Sequence, residues 1–235
     1  MNANYKTTTS RAGNVPKWEA LFRSFGGWNT ARQRCVQEHE GRQIAAWLLE
    51  LDRNAYNIVE IGCGNGYVGY TIISQLLAAK KDVTYCFSDL LPQCLDAARA
   101  AVSELGASAR ISFRQVDVYT IDQSFAPESV DIVVSTGFVS AATYRDAVPH
   151  VVRVLKPGGL FIADFINHLS PLIVLRHPIS SLRNLWLHLA GRGEGYHCGM
   201  LGLSDFFLAH GLTMLRHRTF RIRRNPLLCM FEKGL

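Results

Sequence analysis

Val59-Glu60-Ile61-Gly62-Cys63-Gly64-Asn65-Gly66 is an apolar strand that ends in an acid and runs into a loop with glycine at every second position. A backbone turning this sharply at a strand's end needs residues free of Cβ, and it leaves a ligand room to lie against bare peptide groups. The stretch predicts an α/β sheet with a nucleotide-like ligand at the strand's carboxyl end.

The spacing separates two nucleotide readings. A dinucleotide fingerprint runs G-x-G-x-x-G, but Tyr67 stands where its third glycine belongs, so close helix–strand packing under a pyrophosphate is not supported. Downstream, Asp82-Val83-Thr84-Tyr85-Cys86-Phe87-Ser88-Asp89 reads as a second strand ending in a carboxylate. Asp89 falls 23 residues past Gly66, near the distance at which an acid meets a ribose hydroxyl in Rossmann-like folds. Leu95, Ala98, Ala101 and Val102 then recur at helical spacing. Next come a strand ending in Val116-Asp117-Val118 and another over Val130 to Ser135. A helix stopped by Pro157-Gly158-Gly159 and followed at once by a buried strand closes the series.

Taken in order, E-x-G-x-G-x-G, the acid at Asp89, Asp117 and the block Leu155 to Ile162 resemble the class I S-adenosylmethionine (SAM) dependent methyltransferases of small-molecule type. The likeness is close over residues 55–165 and looser over 200–235. It implies a doubly wound, Rossmann-like sheet, mostly parallel with a reversed C-terminal strand, plus N-terminal helices and an inserted lid. It further implies that Glu60 helps hold the methionine end, that Gly62, Cys63, Gly64 and Gly66 form the cofactor loop, and that Asp89 takes the ribose hydroxyls. Asp117 and the Val118 amide would meet the adenine edge, with Leu90 and Ser135 also among the cofactor-binding positions. The chemistry agrees, because one carboxylate accepts both donors of a cis-diol and an exocyclic amine suits a carboxylate. The plainer alternatives are a tight turn for the loop, a solvated acid for Asp89 and a turn-forming aspartate for Asp117.

At 235 residues and 48% hydrophobic, the chain can bury one sizeable core without a second domain. The expected division is an N-terminal helical cap over 1–54, a cofactor-binding core over 55–165, a lid over 166–203, and a helix with a strand pair over 204–235. Trp18, Leu21, Phe22 and Phe25 mark one helix of the cap, and Ala45, Ala46, Leu48 and Leu49 mark another. They either cap the cofactor or cover a sheet edge. The late helix is expected to start near Ser204-Asp205, and the strands to run over Thr213 to Ile222 and Leu227 to Glu232, joined at Asn225-Pro226.

No apolar run approaches the roughly 20 residues of a membrane span, and Met1 to Asn14 lacks the apolar stretch of a secretory signal. A cytoplasmic location is expected. The six cysteines form no C-x-x-C pair, so free thiols are favoured over disulfides or a metal site.

Charge is lopsided. Residues 1–150 hold 14 Lys and Arg against 15 Asp and Glu, whereas residues 151–235 hold 11 against 4. Within 170–192, Leu172, Ile173, Val174, Leu175, Ile179, Leu182, Leu185, Trp186 and Leu189 interleave with Arg176, His177, Arg183, His188 and Arg192. An apolar face beside a basic one suits peripheral contact with a membrane, or an amphipathic, anionic substrate. The alternative is a lid on the core with a solvated basic face. Nucleic acid is disfavoured as a partner: Ser135-Thr136-Gly137-Phe138 stands where enzymes that methylate base amino groups often carry Asn/Asp-Pro-Pro-Tyr/Phe, and no stacking platform is evident.

The resemblance assigns no acceptor. Methyl transfer needs a base only when the acceptor holds a proton, as a hydroxyl or an acidic carbon does. Histidine suits that work near neutral pH. His197, in Gly195-Tyr196-His197-Cys198-Gly199, and His168, just after the strand ending at Phe165, are the candidates, with a structural or solvated histidine as the alternative for each. The expected activity is methylation of a small molecule, at oxygen or carbon rather than nitrogen. SAM binding without methyl transfer, in a structural or ring-forming role, and an RNA- or membrane-binding module are the rivals.

Overall fold

The computed structural model describes residues 19, 20, 23, 30–137, 141–166, 174, 175, 178, 179, 182, 186, 199–219 and 226–235. Helix α1, Ala31–Leu49, starts at a capping box in which the Thr30 side chain accepts from the Gln33 amide and the Gln33 side chain accepts from the Thr30 amide. Strand β1, Ala55–Ile61, leads through the glycine loop into α2, Tyr67–Ala78. Then follow β2, Asp82–Asp89; α3, Pro92–Ala101; β3, Arg110–Gln115; and a short α4, Ile121–Ser124. Strand β4, Val130–Ser135, is followed by α5, Ala141–Val154, and β5, Leu155–Ile166. Helix α6, Gly199–Ala209, and the strands β6, Leu212–Thr219, and β7, Pro226–Lys233, complete the described elements.

Among the described residues the strands form one seven-stranded sheet of order β3-β2-β1-β4-β5-β7-β6. The first five are parallel, β7 is antiparallel to β5, and β6 is antiparallel to β7. One reversed strand in an otherwise parallel sheet is the Rossmann-like methyltransferase arrangement. It places the turn at β1, where the strand order reverses, beside the carboxyl ends of β2 and β4, which is where open α/β sheets take their ligands.

Parallel strands bury both faces, and the alternation of side chains sorts them into two cores. Val59, Ile61, Val133, Phe161 and Phe165 pack with α5 and α6, whereas Ile58, Ile132, Leu160 and Ile162 pack with α1 and α2. Ile44, Trp47 and Leu48 put α1 on that second face, so the helix covers the face of the sheet and not its edge. Ala46, grouped in the sequence with the apolar stripe, is exposed because the buried stripe runs through Ile44 instead.

Three boundaries differ from the sequence expectation. Strand β5 pairs from Leu155, ahead of Pro157-Gly158-Gly159, which forms a bulge: Val130 to Ile132 on β4 face Leu155 to Leu160 on β5. Gly158 sits at φ +70, a conformation that glycine adopts without strain. Helix α6 starts at Gly199, five residues earlier than Ser204. Strand β3 ends at Gln115, so Asp117 belongs to the turn that follows. Trp18, Leu21, Phe22, Phe25 and Asn225 lie outside the described residues.

Candidate cofactor site

The glycine loop is shaped by its own backbone. Gly62, Gly64 and Gly66 stand at φ 68, 53 and 77, a region that residues with a Cβ rarely adopt. At Gly66 a Cβ would also fall 2.7 Å from Ala98 Cα on α3, so this glycine brings the first turn of α2 against its neighbour. The Cys63 amide donates to the Ser88 carbonyl at 3.0 Å, and the Gly66 amide to the Cys63 carbonyl at 2.9 Å. These bonds tie the loop to the end of β2.

Asp89 is the hub of that junction. Its Oδ2 accepts from the Gly64 amide at 3.0 Å and its Oδ1 from the Leu91 amide at 2.9 Å. The carboxyl is 8% exposed, and burial pushes its pKa up against those hydrogen bonds. A carboxylate offers about four lone-pair sites. The Cys94 side chain is a further hydrogen-bond partner, so the carboxylate is held from several sides at the end of β2. Leu90, half-buried beside it, fixes its carbonyl on Gln115 Nε2 at 3.0 Å and leaves an apolar side chain next to the acid.

Asp117 caps a short turn over Val118–Thr120, its Oδ1 accepting from the Tyr119 amide at 3.0 Å. This is the turn-forming role, and it points Val118 into the core at 3% exposure. Ser135 is fully buried at the end of β4. Its hydroxyl has no partner among the described residues and lines a small cavity with Ile61, Val118, Val148 and Phe161, so contact with a ligand would pass through its peptide group.

Glu60 lies under α2, 1% exposed, with its Oε2 accepting from the Tyr85 hydroxyl at 3.1 Å. Burial lifts its pKa to about 8, opposed by the Tyr85 hydrogen bond and helped by the charge of Asp89. Gly69 makes room for it, since a Cβ there would stand 2.5 Å from Glu60 Oε2 and 2.3 Å from Phe87 Cε1.

The structure adds two acids that the sequence did not single out. Glu40, on α1 one turn after Gln37, is 5% exposed. Burial, with the like charge of Asp164 beside it, raises its pKa to about 9, so it is neutral at pH 7. Asp164, near the end of β5, accepts from the Gly137 amide at 2.6 Å. Gln37 itself accepts from Asn65 Nδ2 at 3.1 Å, which joins α1 to the glycine loop. Asp164, at the carboxyl end of β5, is near enough to Glu40 for its charge to act on it. Glu40 carried no motif; its neighbour Glu38 is an ordinary exposed acid paired with Arg42.

His197 and His168 lie outside the described residues, as do Arg176, Arg183 and Arg192. Among the described residues no group of acids, histidines and cysteines has the arrangement of a metal site. Cys35, Cys63, Cys86, Cys94 and Cys229 are free thiols, as expected. No helix among them is long and apolar enough to cross a membrane.

The loop of three positive-φ glycines, the Asp89 carboxylate and the apolar side chain of Leu90 together fit an adenosine with a free cis-diol. Comparison with known proteins agrees. The family described as Methyltransferase domain matches residues 58–159. Pyochelin synthetase PchF of Pseudomonas aeruginosa is 24% identical over 217 residues, 82% of this chain and 12% of that protein. The highly reducing polyketide synthase PKS6 of Gibberella zeae is 28% identical over 134 residues, 55% of this chain and 5% of that one. The chain thus spans a small fraction of these relatives. Among solved structures, magnesium protoporphyrin IX methyltransferase of Synechocystis with bound S-adenosylhomocysteine (SAH) superposes at TM-score 0.64, 15% identical, covering 95% of this chain and 97% of that one. The CurJ carbon methyltransferase superposes at 0.62, 14% identical, covering 94% and 60%. Residues 58–159 thus match a methyltransferase domain, and the sheet around them has the fold of the SAM-dependent methyltransferases.

Proposed function

We propose that the enzyme methylates a small, amphipathic or anionic molecule at oxygen or carbon. The observation that carries this is that Asp164, held by the Gly137 amide at the carboxyl end of β5, and the buried Glu40 stand with the cofactor loop as further acids of the site. A carboxyl group near the acceptor can take a proton, and one must be taken only if the acceptor gives one up. SAM, when bound, supplies an electrophilic methyl group on a sulfonium. The chain's part is to fix the adenosine through Asp89 and the glycine loop, to exclude water, and to take the acceptor's proton. His197 is the first candidate for that base and His168 the second; Asp164 and Glu40 are the candidates among the described residues. Two neighbours in fold lend support, since one is by name a magnesium protoporphyrin IX methyltransferase and the other a carbon methyltransferase.

The test is release of SAH from SAM by the purified protein supplied with fractionated cell extract, followed by recovery of the methylated compound. Transfer to nitrogen would overturn the acceptor assignment. His197→Ala is expected to lower turnover about 100-fold with SAM affinity unchanged. Near-normal turnover would remove it.

A second reading has one observation in its favour. The [4+2]-cyclase SpnF superposes at TM-score 0.58 and 13% identity, covering 82% of this chain and 80% of that one, so the same fold carries ring-forming work. SAM binding without SAH release across all extract fractions would favour it.

A further inference from the structure

Leu175, Ile179, Leu182 and Trp186 are helical residues that lie 79%, 83%, 63% and 58% exposed. Their spacing of four, three and four residues is that of one side of an α-helix. Among the described residues seven large apolar side chains are left exposed, and four of them are these. The other three, Leu208, Leu215 and Leu235, are scattered singly, as ordinary surfaces allow. A row of two leucines, an isoleucine and a tryptophan facing water is costly unless something covers it.

The surrounding sequence says what that is. From Phe165 to Gly193 there is no acidic residue, while Arg176, Arg183 and Arg192, with three histidines, stand in the same stretch. An uninterrupted basic segment that carries an apolar row with a tryptophan at one end matches an anionic bilayer surface on both counts: acyl chains receive the row, and headgroups pair with the cations. An acidic protein would match the charge but has no general use for so many aliphatic side chains in line. The segment leaves the sheet at the end of β5, the same edge that bears the glycine loop.

We propose that the exposed residues Leu175, Ile179, Leu182 and Trp186 dock the enzyme on an anionic lipid surface by entering the acyl region. The docked segment is rooted at the ligand edge, so an amphipathic acceptor dissolved in the bilayer would reach the site without crossing water. The docking itself does not depend on the methyl-transfer reading.

The test is flotation of the full chain with phosphatidylcholine vesicles, with and without phosphatidylserine, at rising salt. Flotation is expected with phosphatidylserine, weakening as salt rises, and falling about tenfold or more in a Leu175→Gln, Trp186→Gln double variant, whose positions are exposed and do not support the core. A second variant, Arg176→Gln with Arg183→Gln, should lose the phosphatidylserine dependence. No flotation, or equal flotation of wild type and the double variant, overturns the proposal. So does polyglutamate binding that needs Leu175 and Trp186 while the vesicles stay unbound, which would make the row a protein-docking face. Flotation needs neither SAM nor acceptor, so its failure leaves the cofactor assignment untouched, and a SAM-induced thermal shift reports on that separately.

Discussion

Asp89 already accepts two amides before any ligand arrives, and this changes what its removal means. Asp89→Ala loses the ribose acceptor and also frees the Gly64 and Leu91 amides, whereas Asp89→Asn keeps one acceptor oxygen and turns an NH2 toward donors. Both should weaken SAM binding, by about 10-fold or more per charge-assisted hydrogen bond lost, with the alanine variant also less stable. Calorimetry with circular dichroism as the fold control checks this, and an unchanged dissociation constant would remove Asp89 from the site. Glu40 gives a prediction of opposite sign. Its pKa in the folded chain, about 9, lies above the unfolded value of 4.5, so the folded state holds the extra proton between these limits. Stability that Glu40 permits at acid pH is therefore lost progressively as pH rises from about 4.5 to 9. Glu60, at about 8, adds to the same trend. Glu40→Gln cannot ionise, so its melting temperature should exceed that of wild type at pH 8 and approach it at pH 5. An identical difference at both pH values would mean that Glu40 does not titrate in this window.

At the scale of elements, α2 depends on a contact no motif announces. Gly69 rests on Phe87 and Glu60, and a methyl group there would overlap both. Gly69→Ala is expected to destabilise by about 1–3 kcal/mol, read by urea unfolding, despite alanine's better helix propensity. Strands β2 and β4 were legible residue for residue, because each is a β-branched or aromatic run bounded by charged or polar signals. Strand β5 was not: Pro-Gly-Gly reads locally as a stop, and only pairing with β4 reveals that the chain bulges there and continues. The same limit explains the site. Asp89 and the glycines announce themselves by spacing, but Glu40 looks like any acid on an amphipathic helix until α1 is laid on the sheet and buries it. His197 rests on its setting between glycines in the sequence and the adenine role of Asp117 on the resemblance, and both are proposals.

For the whole molecule, cofactor binding should appear as stability. SAM at 100 times its dissociation constant adds about 2.7 kcal/mol, which for a chain this size raises the melting temperature by about 5–10 °C. No shift under those conditions would count against the cofactor assignment. The rims of the sheet carry a different consequence. Its outer strands, β3 and β6, are the two that could recruit a strand from another molecule, and both are fringed with arginine. Arg110 reaches back to Asp82 at 2.9 Å, and Arg114 to the Ser124 carbonyl at 2.9 Å. On the far side Arg216 binds Glu50, Arg218 binds Gln43, and the pairing with β7 slips between Met214 and Arg216. A charged, kinked border is a poor template for cross-β growth. Arg216→Val with Arg218→Val should leave the fold intact yet scatter light at a lower temperature on heating, because the flattened, apolar border would let molecules add to one another strand by strand.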